Sequence, residues 1–92
     1  VIGDLAIINT GSTVDHDCVI GRAAHVAPQC ALAGCVSVGD GAMLGVGTKV
    51  IPGIRIGADA TVGAGSVVVR NINDAALAMG VPAKIRDGGK TR

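Results

Sequence analysis

Few residues in this chain carry side chains suited to acid–base or nucleophilic chemistry, and the densest group of them is Asp15-His16-Asp17. Imidazole is the side chain that ordinarily changes charge near neutral pH, so it can take a proton from an attacking amine or hydroxyl. A carboxylate bonded to its other ring nitrogen fixes the tautomer and makes it a better base. The same three letters also describe a solvated histidine between two turn aspartates, and residue types alone do not choose between these readings. The other histidine, His25, lies nine positions further on. Cys18, Cys30 and Cys35 complete the inventory. An odd number of cysteines without paired spacing suits reduced thiols and a cytoplasmic setting.

Something regular must hold these residues, because every sixth position from Ile2 to Val68 is Ile, Leu or Val, twelve in succession. The fifth position of each hexad is mostly small, as at Ala6, Ser12, Cys18, Ala24, Cys30 and Ala42, and so is the position after the aliphatic. One large and one small inward residue per hexad fits a triangular tube. A short strand cannot bury its apolar face alone, so successive strands turn a corner and stack, each coil covering the one before. Three hexads close an 18-residue coil, and Ile2 to Asn73 gives four coils. The expected fold is therefore all-β, a parallel β-helix of about four coils over residues 1–73. After Asn73 the register is expected to stop. Asp74 to Met79 reads as a turn or short helical segment, followed by Gly80-Val81-Pro82-Ala83-Lys84 and a polar tail from Asp87 to Arg92, so that 74–92 forms a separate C-terminal segment.

Composition agrees with strands and turns rather than helices: of 92 residues 15 are Gly, 13 Val and 9 Ile, with no Glu and no aromatic residue. A single compact globe of this length would bury only about 60–65% of its unfolded surface. A net charge of +1 without aromatics removes the basic surface and stacking platform on which nucleic-acid binders rely. The longest stretch free of Lys, Arg, Asp and Glu, Ala23 to Gly39, contains His25, Pro28 and Gln29 and is no membrane span. No signal peptide is visible. Because Val1 already stands inside the pattern, an N-terminal part is expected to have been removed or to be lacking.

The hexads, the segment Asn9-Thr10 … Asp15-His16-Asp17-Cys18-Val19-Ile20-Gly21 … His25-Val26 and the Gly80-Val81-Pro82-Ala83-Lys84 ending together resemble the hexapeptide-repeat acyltransferases. Within them the resemblance is to the sugar O- and N-acetyltransferases, which include sialic-acid O-acetyltransferases and bacillosamine-pathway acetyltransferases. It implies a left-handed β-helix, acetyl-coenzyme A as co-substrate, and a homotrimer with active sites in the clefts between subunits. It further implies direct acetyl transfer to an amine or hydroxyl of a sugar or nucleotide sugar, with His16 as general base and Asp17 as its partner. By the same resemblance His25, which its residue type alone leaves equally a polar corner residue, would contact acetyl-CoA, and Val46 and Ala64 would do so mainly through their backbone. Lys84 and Arg86 either meet the cofactor's phosphates or form a solvated basic tail.

Residues one coil apart lie above one another, which stacks His16 on Gly34 and then on Pro52. Gly34 would leave room for a thioester, and its N–H could stabilise the oxyanion formed on attack. The alternative is a glycine needed for a tight corner. A second column runs Pro28, Val46, Ala64 and, if the register survives, Pro82. It is either a wall for an extended pantetheine chain or ordinary packing between subunits. His16 and His25 are half a coil apart and share one site only across faces or subunits. Cys18 and Cys30 occupy the inward small position, and Cys35 has no evident base beside it, so no catalytic thiol is expected. Two further readings compete. One is a non-catalytic trimeric module, since the related sugar transferases carry an N-terminal sugar-binding domain. The other is a zinc site like that of the β-helical carbonic anhydrases, which would need three histidines where only two exist. No metal is expected.

Overall fold

Each hexad becomes a two-residue strand followed by a four-residue corner, because one inward aliphatic per strand is all that a narrow prism accommodates. The computed structural model describes residues 1–86; the expected polar tail lies outside them. The chain is a left-handed parallel β-helix with three faces. On the first face stack β1 (Ile7–Ile8), β4 (His25–Val26), β7 (Met43–Leu44), β10 (Thr61–Val62) and β12 (Leu77–Gly80), closed by antiparallel β13 (Ala83–Arg86). The second face holds β2 (Thr13–Val14), β5 (Ala31–Leu32), β8 (Lys49–Val50) and β11 (Val67–Val68). The third holds β3 (Val19–Ile20), β6 (Ser37–Val38) and β9 (Arg55–Ile56). Among the described residues no helix is long and apolar enough to cross a membrane.

Through the first coils the register is the expected eighteen residues, as in Ile8↔Val26 and Val26↔Leu44. Three aliphatic ladders follow from it, and Ile20, Leu32, Val38, Leu44 and Ile56 are fully buried. The fifth hexad positions line the inner corners, where the tube is narrowest. One corner is a column of Ala24, Ala42 and Ala60, and another carries Ser12, Cys30, Thr48 and Ser66. The buried hydroxyls of that second column are satisfied locally: Thr48 Oγ1 donates to Gly45 O at 2.8 Å and Ser66 Oγ to Gly63 O at 2.7 Å. A small side chain with its own donor fits there without leaving a polar group unpaired.

The corners close because the fourth hexad position adopts positive φ, including at Asp17 (58°), Ala23 (56°), Cys35 (61°) and Asp59 (59°). Each such residue costs about 1–2 kcal/mol over an ordinary conformation. The inter-coil hydrogen bonds offset this, because the same residue's N–H reaches the carbonyl of the preceding coil, as Cys35 N–H does to His16 O at 3.0 Å.

The C-terminal expectations require correction. Thr61 pairs with Leu77, Val62 with Ala78 and Ile56 with Ile72, so the last coil is sixteen residues, not eighteen. Only Val69, Arg70 and Asn71 separate the inward Val68 from the inward Ile72, where five residues do so in earlier hexads. The register shifts by two rather than stopping. Asp74 and Ala75 then make an ordinary corner, closed by Ala76 N–H to Asn73 O at 3.2 Å, and the expected turn or short helix continues as strand β12. Leu, Ala and Met favour helix in isolation, but pairing with β10 overrides that weak preference. β13 then folds back on β12 and covers its edge.

Candidate active site

His16 stands at the third position of its hexad, the second residue of the corner between β2 and β3, where a side chain must point outward. Asp15 Oδ1 accepts the His16 N–H at 2.7 Å, which holds the start of the corner. Asp17, at positive φ, brings its Oδ2 to 3.2 Å from His16 Nδ1. Both side chains are exposed, at 68% and 81%, so this contact orients the ring more than it stabilises the fold. With Nδ1–H donated to Asp17, Nε2 is left as the free basic nitrogen.

Gly34 lies one coil below, as the stacking arithmetic requires. A Cβ there would sit 2.6 Å from both Cε1 and Nε2 of His16, so the imidazole rests on the bare Cα. The backbone of Gly34 is not at positive φ. A tight corner therefore does not explain this glycine, whereas the seat of the ring does. Among the described residues the Gly34 N–H has no hydrogen-bond acceptor, while the next amide, Cys35 N–H, is committed to His16 O.

His25 sits half-buried on β4, on the face opposite the His16 corner, and the chain alone does not bring the two imidazoles together. Asn9 Nδ2 donates to His25 Nε2 at 2.8 Å and also reaches Val26 O at 3.4 Å. Neutral His25 accordingly carries its proton on Nδ1. The sequence assigned Asn9 no role, because its pairing with His25 is diagonal, sixteen residues apart, and falls outside the stacking rule.

Val46 and Ala64 are exposed at the corner between the first and second faces, stacked through Gly65 N–H to Val46 O at 2.7 Å, with Pro28 above through Gly47 N–H to Pro28 O at 3.0 Å. The column does not continue to Pro82. The shortened coil sets Gly80 beneath Ala64, and Pro82 lies in the turn joining β12 to β13. Lys84, on β13, pairs with Met79 of β12 and is exposed at the far edge of the same sheet as His25, as is Arg86 opposite Leu77.

Two of the three thiols are inert. Cys18 and Cys30 are buried, and their Sγ atoms donate to Ala33 O and Gly45 O at 3.1 and 3.2 Å. Cys35 is exposed, and its Sγ joins one His16 ring nitrogen and one Asp17 carboxylate oxygen in a cluster whose ligating atoms lie within 4.8 Å of one another. Coil arithmetic alone places residue 35 beside residue 17, but the sequence reading weighed Cys35 only for an adjacent base. The two imidazoles of the zinc alternative do not meet within the chain. An open concavity of about 580 Å³ on the second face, lined by Thr13, Asp15, Ala31, Ala33, Ile51 and Pro52, runs up to the His16 corner.

The bacterial transferase hexapeptide model, of six repeats, matches residues 35–70. Serine acetyltransferase of Mycobacterium tuberculosis is 33% identical over 92% of this chain and 35% of its own length. Perosamine N-acetyltransferase of Caulobacter crescentus, solved with CoA and GDP-perosamine in a variant with one histidine replaced by asparagine, is 66% identical with a TM-score of 0.92, covering 92% of this chain and 40% of that one. The acetyltransferase domain of PglB from Neisseria gonorrhoeae, solved with acetyl-coenzyme A, is 36% identical with a TM-score of 0.87, over 88% of this chain and 40% of that one. The chain thus spans well under half the length of these relatives.

Proposed function

The chain belongs to the hexapeptide-repeat bacterial transferases, and from that footing we propose that it carries the acetyl-transfer site of an acetyl-CoA-dependent N-acetyltransferase whose acceptor is an amino group on a nucleotide-linked sugar. The observation that carries this reading is His16 seated on Gly34, with Nδ1 held by Asp17 and Nε2 free. Nε2 takes a proton from the acceptor amine as its nitrogen attacks the thioester carbonyl. The carbon–sulfur bond then breaks, and the proton passes from His16 to the leaving thiolate, giving the N-acetyl sugar and free CoA. No acyl-enzyme intermediate is needed.

Supporting geometry surrounds that step. The Gly34 N–H, without an acceptor among the described residues, belongs to the corner stacked on His16 and is the candidate donor to the oxyanion. Asp15 and Asp17 flank the base with two carboxylates, which attract an amine that arrives protonated more strongly than a neutral hydroxyl and so favour N- over O-acetylation; that amine gives its extra proton to solvent before its lone pair attacks and His16 takes the next one. His25 offers Nδ1–H as a donor to the cofactor. Pro28, Val46, Ala64 and Gly80 form a small, uncharged corner for an extended pantetheine arm. Lys84 lies four strand steps from His25, about 19 Å at the usual strand spacing, a fitting distance at which to meet phosphates, with Arg86 beside it.

Because His16 and His25 occupy opposite sides of the prism, one complete site needs His16 of one subunit and His25 of another, as in a homotrimer. The second face supports such packing, since its outward residues Thr13, Ala31 and Val67 are uncharged and Lys49 folds its Nζ onto Gln29 O and Gly47 O at 3.0 Å.

Calorimetric titration with acetyl-CoA, followed by turnover with a nucleotide-linked amino sugar, tests this. One site per subunit and a loss of about 10²–10⁴ in kcat for His16→Ala with binding retained are expected. A folded protein that binds no acetyl-CoA would instead be the non-catalytic module, and unchanged turnover in His16→Ala would remove the mechanism.

A further inference from the structure

We propose that His16, Asp17 and Cys35 form a binding site for a thiophilic divalent cation, Zn²⁺ in particular, and that its occupancy switches the base off. Binding follows from the donor set alone; the switching rests on His16 acting as the base. A ring nitrogen, a carboxylate oxygen and a thiol sulfur all lie within 4.8 Å of one another. A tetrahedral zinc ion with one sulfur and two N/O ligands holds its donors about 3.5 Å apart. Exposed side chains close that gap by small rotations, with no buried packing to disturb. The backbone fixes their approach: Asp17 and Cys35 are stacked corner residues of successive coils, both at positive φ, and Cys35 N–H is bonded to His16 O at 3.0 Å.

The thiolate sets the preference, since soft sulfur selects Zn²⁺ over Mg²⁺ or Ca²⁺. On binding, the Cys35 thiol releases its proton to solvent, and the fourth position stays open to water. His16 gives one ring lone pair to the metal while its other nitrogen keeps the proton. No lone pair is then left to deprotonate an acceptor amine. Cys18 and Cys30 cannot substitute, being buried and bonded to carbonyls.

The chain has no Phe, Tyr or Trp, so the near-ultraviolet charge-transfer band of a cobalt thiolate can be read against an almost clear background. Titrating Co²⁺ into the reduced protein is expected to raise this band to one metal per chain, and Zn²⁺ to bleach it. Cys35→Ser is expected to abolish the band and His16→Ala to weaken Co²⁺ affinity about tenfold. Should Cys35→Ser not fold, alkylating the exposed thiol of the folded wild type removes the same donor. In an acetyl-transfer assay Cys35→Ser is expected to keep its metal-free turnover and to need at least about tenfold more Zn²⁺ for half inhibition. No band in the wild type, the same band after loss of the Cys35 thiol, or equal Zn²⁺ inhibition of both proteins would overturn the proposal. A cobalt band in a protein with no transfer activity would retain the metal site and remove only the catalytic reading.

Discussion

At the scale of the residue, the site depends on an atom that is missing. His16 is mostly exposed and held by one side-chain contact, so its position is decided by what lies beneath it, and that is the bare Cα of Gly34. Gly34→Ala is a sharp probe for that reason. Its backbone is not at positive φ, so alanine should fold without strain, but the new Cβ would need the space of the imidazole. We expect unchanged far-ultraviolet circular dichroism with kcat lowered about 10²-fold, the usual consequence of displacing a catalytic group by an ångström. Normal kcat in Gly34→Ala would count against the seated His16 ring as the base. The residue types Asp-His-Asp were visible in the sequence; the support was visible only through the eighteen-residue spacing, and Asn9 escaped because its diagonal contact obeys no simple period.

At the scale of the element, corners rather than strands govern what substitutions cost. A two-residue strand has little preference of its own, whereas each four-residue corner uses a left-handed residue. Gly53 has φ of 79°, and a Cβ there would meet nothing within 4 Å, so Gly53→Ala isolates the backbone term. With the extra freedom of the unfolded glycine counted in both, it should lower unfolding free energy by about 0.5–1 kcal/mol, whereas Ala23→Gly, at φ 56°, should raise it by about the same amount. Urea unfolding at fixed protein concentration measures both. If the two changes shift the midpoint in the same direction, corner strain is not what separates them. A charge on the inner ladder is a harsher test: Leu44→Asp places an unpaired carboxylate where only 1% of the residue is exposed, and loss of cooperative folding is expected. The two-residue shift after Val68 was illegible beforehand, because Ile72 and Ala78 fall out of the strict period and pairing alone reveals that the phase resumes.

At the scale of the whole molecule, the prism separates what the proposed chemistry must unite. His16 on one corner and His25 on the opposite face meet in one cleft only if subunits pack side by side. Complementation follows from this. His16→Ala and His25→Ala proteins, each impaired by itself, should regain activity when unfolded together and co-refolded in equal amounts. In randomly mixed closed trimers, each cleft draws one histidine from each neighbour, so about a quarter of the clefts are intact. The expected rate is therefore about a quarter of wild type above the residual activities. Mixing that restores nothing, while light scattering confirms mixed trimers, would remove the shared inter-subunit site.

The sequence by itself determined the repeat, the prism, the inward and outward assignment of nearly every residue to Val68, and the candidacy of His16 with Asp17. It could do so because a six-residue corner-and-strand unit is local and admits one inward pattern. Tertiary structure alone decided the sixteen-residue last coil, the strand at Leu77–Gly80 and the Asn9–His25 pair. Those features arise between coils, where pairing energy and side-chain reach act across stacked backbones and leave no period in the chain.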